Sequence, residues 1–169
     1  MIALNEGTTW VSFNKEITLS NLKAALVAAA PGATIKISGQ NNSTTYNPNN
    51  HRWSGSLPWD LSKMYKINVE AACEITLEGT PINPADHPVT IVNGNNYLGF
   101  PFDQNMTLDD AFAGFAVNGD KVYSQTGSAT YNRGRWQGST LTELQPGKGY
   151  LYKSAASGSR TIVFPVSAR

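Results

Sequence analysis

The chain carries the same motif order twice, and this duplication constrains its fold more than any other feature. Residues 2–13, "IALNEGTTWVSF", fall on residues 89–100, "VTIVNGNNYLGF", at a constant offset of 87, which sets Gly7 on Gly94, Trp10 on Tyr97 and Phe13 on Phe100. "ITLSNLKAAL", from Ile17, matches "MTLDDAFAGF", from Met106, at offset 89, with Leu19 on Leu108. At offset 85, "KISGQNNSTTYN" pairs with "KVYSQTGSATYN", so Lys36, Gln40, Ser43, Thr45, Tyr46 and Asn47 all recur. "HRWSGS" against "GRWQGS" follows at offset 83, then "LSKMYKI" against "PGKGYLY", and last "CEITLEG" against "SRTIVFP". A slowly drifting offset is what short loop insertions produce, so two copies of one supersecondary unit are expected.

Each copy reads strand, glycine turn, strand, short helix, strand, hairpin, strand, strand. Thr18 and Thr107 stand as helix N-caps, with Asn21 and Asp110 three residues on. The fold expected is mainly β (α+β in detail): two similar repeats over 1–80 and 81–169, each a small antiparallel sheet or barrel-like unit with one short helix. The joint is placed at about 79–88, in "EGTPINPADHP". Each half alone has a small core, so a pseudo-twofold or side-by-side pair, or one compact two-repeat domain, gains burial.

The ordered set of "GTTWVSF" or "GNNYLGF", a "TL" helix, a Lys-x-x-x-Gln strand, "RW-x-G-S" and "LTELQPGKGYLYKSA" resembles a repeat module of secreted and surface-displayed bacterial proteins. Copies of that module open on a Gly-Trp-Asn strand, close on a "LEPGKGYW"-like segment, and occur in tandem in large Bacteroidetes proteins. The resemblance covers nearly the whole chain, although repeat one has "LSKMYKI" in place of Pro-Gly-Lys-Gly-Tyr, so its turn chemistry must differ. It implies an extracellular or cell-surface module of a larger protein, without chemistry of its own, beside neighbouring domains. The start "MIALNEG" does not read as a signal peptide.

Composition agrees with a β-rich, turn-rich extracellular module: 40% of residues are hydrophobic and only 15% charged. The net charge of +1 comes with no block of Lys or Arg, so nucleic acid is not expected as a partner. The longest apolar run, 22–30, is too short to span a bilayer, and a monomer is expected. Cys73 is the single cysteine, which removes any intrachain disulfide and any thiolate metal cluster. No cofactor is expected. Calcium is the one metal invited by the oxygen-rich stretches "NPADHP" and "PFDQNMTLDD", which lack the regular Asp spacing of an EF-hand loop.

Catalytic inventories are thin. His51 and His87 are the only histidines, no "GxSxG" elbow is present, and the acids Asp60, Asp103, Asp109, Asp110, Asp120 and Glu143 form no paired motif. "QPGKGY" lacks P-loop spacing and reads as a turn. No enzyme is expected, with a carboxylate-dependent hydrolase as the minor alternative. The expected function is an extracellular binding or adhesion module, of carbohydrate or protein ligands; the alternative is a structural spacer or domain-docking module.

The duplication also supplies a sorting rule for residues. Those shared by both copies are assigned to folding: Gly7 and Gly94, Phe13 and Phe100, Gln40 and Gln125, Tyr46 and Tyr131, Trp53 and Trp136, Tyr65 and Tyr150. The two glutamines are expected to satisfy buried backbone groups beside a loop. Trp53 and Trp136 are expected to pack inward, with Gly55 and Gly138 making a hairpin turn. Residues unique to one copy are the ligand candidates: Trp59 first, for sugar stacking, then Asp60, His51, Phe102, Tyr123 and Tyr152, with Arg52 added as the neighbour of His51.

Overall fold

The computed structural model describes residues 1–165. Repeat one runs β1 (Ile2–Leu4), β2 (Gly7–Val11), α1 (Leu19–Ala29), β3 (Ile35–Ser38), β4 (Ser43–Asn47), β5 (Arg52–Ser54), β6 (Tyr65–Val69) and β7 (Cys73–Ile75). After a 3-10 turn at Pro84–Asp86, repeat two runs β8 (Val89–Ile91), β9 (Gly94–Leu98), β10 (Met106–Thr107), α2 (Leu108–Ala111), β11 (Lys121–Tyr123), β12 (Ser128–Asn132), β13 (Arg135–Gln137), β14 (Glu143–Leu144), β15 (Tyr150–Ser154) and β16 (Arg160–Ile162).

Each repeat builds one open five-stranded antiparallel sheet in the same order: β2-β6-β3-β4-β5 and β9-β15-β11-β12-β13. Two-stranded ladders, β1 with β7 and β8 with β16, complete the units. These ladders correct the alignment of the last strand. Leu4 pairs with Cys73 and Ile91 with Arg160, so Cys73 corresponds to Arg160 and Ile75 to Ile162. The match of "CEITLEG" to "SRTIVFP" is one residue out of step, and a one-residue slip would turn the buried Ile75 and Ile162 away from the core.

Strict alternation sets the faces of the sheets. In repeat one Val11, Ile35, Ile37, Tyr46, Tyr65 and Ile67 point inward and pack with Leu22 and Leu26 of α1; in repeat two Leu98, Val122, Ala129, Tyr150 and Tyr152 pack with Leu108 and Phe112. The helices start as expected, with Thr18 Oγ1 accepting from the Asn21 amide and Thr107 Oγ1 from the Asp110 amide. Their lengths differ because "LKAALVAAA" contains no helix breaker, whereas Gly114, at φ +72, interrupts the matching stretch of repeat two.

The repeats join by reciprocal contacts. Gln40 takes the Tyr97 amide on its Oε1 and donates Nε2 to the Asn95 carbonyl, while Gln125 does the same for Trp10 and Thr8. Each glutamine thus occupies the outer edge of the other repeat's first strand, where an unpaired ladder would otherwise stand open. Both are more exposed than the sequence reading supposed; what they satisfy is an edge strand across the seam. Gly99 N–H donates to the Ser62 carbonyl and Ser12 N–H to the Gly147 carbonyl, the same exchange at matching positions. Gly149 is required at this seam, since a Cβ there would lie 2.8 Å from Met64 and 3.0 Å from the Val11 nitrogen. Gln125→Ala and Gln40→Ala are each expected to lower stability by about 1 kcal/mol in urea unfolding, the net worth of hydrogen bonds that solvent partly replaces.

The joint is held to repeat one: Glu16 N–H donates to Thr80 O, Ile82 N–H to Asn14 O, and His87 pairs with Glu16.

Candidate binding surface

Ten strands with one face buried leave one face to solvent, and the residues on it follow from the alternation. In repeat two, Tyr97, Leu151 and Tyr123 stand directly opposite one another on β9, β15 and β11, forming a half-buried row across the strands. In repeat one, Trp10 of β2 faces Lys66 of β6. The Lys66 ammonium lies 4.7 Å from the Trp10 ring centre and 5.3 Å from that of Tyr97, so the solvent faces of the two sheets adjoin at the seam. Asn68, Asn95 and Thr130 are interspersed on this face.

Tyr123 and Arg52, two of the candidates taken from the sequence, lie on this surface. His51 occupies the β4–β5 hairpin turn with φ +55, where repeat two has Gly134 at +83, and its Nδ1 lies 3.2 Å from the Tyr46 hydroxyl. The hairpin turn thus precedes Arg-Trp. Gly55 and Gly138 do not make it; they lie where β5 and β13 leave the sheet across the backbone of Ser43 and Ser128, too close for a Cβ. Trp53 and Trp136 do pack inward, on Tyr46 and Tyr131, and Trp136 also on Phe112. Phe102 packs against Phe100 and Phe164.

Three candidates are given structural tasks. Tyr152 is fully buried, which removes it from any ligand surface; its hydroxyl donates to Asp120. Trp59 is half-buried against Tyr65, at 4.7 Å between ring centres, and Phe13, and its indole N–H donates to the Ile17 carbonyl at 2.9 Å. Asp60 accepts from both the amide and the hydroxyl of Ser62, closing the turn before β6. The matching turn of repeat two uses Pro146 and Gly147, at φ +77, so the two turns differ in chemistry as expected. Both serve one purpose: Tyr65 Oη accepts the Asp60 amide and Tyr150 Oη the Gln145 amide. Burial pushes both hydroxyls up to about 12, so they act as neutral structural groups.

Asp120 is buried and accepts from Tyr152, the Ala155 and Val117 amides, and Arg160 at 3.1 Å. Burial alone would raise its pKa, but these hydrogen bonds together hold it below the usual carboxylate value. Burial, and then the bond to Asp120, push the Tyr152 hydroxyl far up. The Asp120 carboxylate is thus taken up by four donors, while the buried Arg160 Nε has no partner among the described residues.

A polar cleft of about 380 Å³ lies at the seam, lined by Trp10, Gln125, Glu143, Gln145 and Lys148 among others. Its counterpart beside Gln40 and Tyr65 is only about 80 Å³. Glu143 is the cleft's single carboxylate, so the cleft does not hold the facing pair of acids that glycoside hydrolysis needs. Among the described residues no three His, Cys, Asp or Glu side chains group as metal ligands, and no helix is long and apolar enough to cross a membrane.

Trp10 and Tyr97, which the duplication sets on each other, are not among the ligand candidates taken from the sequence. The signal that places them on the surface is local: in "TTWV" and "NNYL" they alternate with Val11 and Leu98, which are buried. No family model, curated protein or solved structure matches this chain.

Proposed function

We propose that this chain is a non-catalytic carbohydrate-binding module of a larger secreted or surface-attached bacterial protein. The observation that carries the reading is the in-register row of Tyr97, Leu151 and Tyr123, extended at the seam by Lys66 and Trp10. Half-exposed rings on a rigid sheet offer apolar faces to sugar rings, while Asn68, Asn95 and Thr130 supply hydrogen-bonding groups beside them. The motif order of the sequence supports the bacterial and extracellular setting.

Affinity electrophoresis through gels containing soluble polysaccharides, followed by calorimetry, tests the reading. At least one polysaccharide is expected to retard the protein, and Tyr97→Ala and Tyr123→Ala are each expected to weaken binding about tenfold, the loss of one stacked ring. Absence of binding across the panel, or full binding by the double variant, would remove it.

A further inference from the structure

The whole protein is nearly neutral, with 13 Lys and Arg against 12 Asp and Glu, yet its charges are segregated. The ten strands of the two five-stranded sheets contain no Asp or Glu. They contain Lys36, Arg52, Lys66, Lys121, Arg135 and Lys153, each next to an inward-facing residue and therefore on the solvent face. None is paired: the ion pairs among the described residues are His87 with Glu16 and Arg160 with Asp120. Lys121 and Lys153 stand directly opposite each other on β11 and β15, an arrangement of like charges that weakens a sheet. Their scatter along the sequence hid this surface, because no two of the six are neighbours in the chain.

We infer that the ligand of this face is an acidic polysaccharide, one whose sugar rings carry carboxylate or sulfate groups. The inference rests on the glycan-binding reading above and adds the charge of the ligand. An anionic group placed between Lys121 and Lys153 relieves their repulsion, and Lys66 offers a second cation beside the Trp10 and Tyr97 rings. Lys66 lies against the Trp10 and Tyr97 rings, and Lys121 shares the outer face of β11 with Tyr123, which fits a chain that presents an apolar ring face beside a charge. A nucleic acid, whose phosphates follow one another every few ångströms, calls for a denser basic track than six cations spread over two sheets.

The test measures binding of the full chain to polygalacturonate, heparin, neutral hydroxyethylcellulose and a DNA oligonucleotide, between about 50 and 500 mM salt, where screening of exposed charges grows steeply. The expected result is binding to polygalacturonate or heparin about tenfold or more tighter than to hydroxyethylcellulose, weakening with salt. Polygalacturonate alone would assign a carboxylate ligand, and heparin alone a sulfate. In Lys121→Gln/Lys153→Gln this preference is expected to fall about tenfold with the unfolding midpoint unchanged or higher, while Lys23→Gln, on α1, binds as the parent does. Equal affinity for the neutral polymer would overturn the inference and leave the glycan surface standing. Tighter binding to DNA than to either acidic glycan would overturn it in favour of nucleic acid, and no binding to any polysaccharide would remove both readings.

Discussion

Asp120→Asn is expected to destabilise the protein by about 3–5 kcal/mol, the cost of leaving one member of a buried charge pair uncompensated. The carboxylate accepts from Tyr152, Arg160 and two backbone amides; an amide in its place can accept through one oxygen only and turns two N–H donors toward donors. Arg160 then loses its counter-ion among the described residues, although it keeps the Phe115 carbonyl and ring and the Ser154 hydroxyl. Stability should also depend on pH. The carboxyl titrates lower in the folded than in the unfolded chain, so the unfolded chain binds more protons through that range. The stabilisation is therefore present above the ordinary carboxylate pKa of about 4 and is lost as pH falls through the folded value. Urea unfolding as a function of pH should show this acid loss in the parent and a shallower one in Asp120→Asn. Equal stability of the two proteins at neutral pH would contradict the cluster's role.

Trp59→Ala is expected to cost about 3 kcal/mol in stability and to leave glycan binding intact. The side chain fills space against Phe13 and Tyr65 in the first core and supplies a hydrogen bond to the Ile17 carbonyl. Trp59→Phe keeps most of the ring contact and removes the donor, so its loss should be nearer 1 kcal/mol. The matching positions in repeat two show why the bond matters. There Met106, equivalent to Ile17, pairs with Leu144, equivalent to Trp59, through backbone hydrogen bonds of β10 and β14. One repeat closes this gap with a short ladder, the other with an indole. Lost binding with an unchanged unfolding midpoint in Trp59→Ala would contradict this assignment.

The same comparison explains what was legible in the sequence. Matching segments at slowly drifting offsets carried the succession of elements along the chain, the Thr18 and Thr107 caps, and the inward Trp53 and Trp136, because those depend on local pattern and on its repetition. The sorting of residues into shared and unique read the site less well. Trp59, Asp60 and Tyr152 are unique because each is a different solution to a need that both copies have. Asp60 replaces Pro146 and Gly147 in a turn. Tyr152 and Asp120 stand where repeat one has the buried Ile67 and Ile35, so a hydrogen-bonded cluster in one core corresponds to aliphatic packing in the other. Trp10 and Tyr97 occupy matching places as two different aromatics, so they stand in neither the shared nor the unique set, although alternation turns both to solvent. The basic face was not legible from charge runs, since it forms only when strands distant in sequence lie side by side.

The solvent face of the two sheets, across the seam, is proposed as the working surface of this protein. Mapping amide chemical-shift changes by NMR while titrating the tightest polysaccharide of the panel tests it most directly. Changes are expected to concentrate on β2, β6, β9, β11 and β15, around Trp10, Lys66, Tyr97, Tyr123 and Leu151. Changes centred on the cleft lined by Glu143, Gln145 and Lys148, or on the segment around Trp59, with the sheet face unmoved, would contradict it.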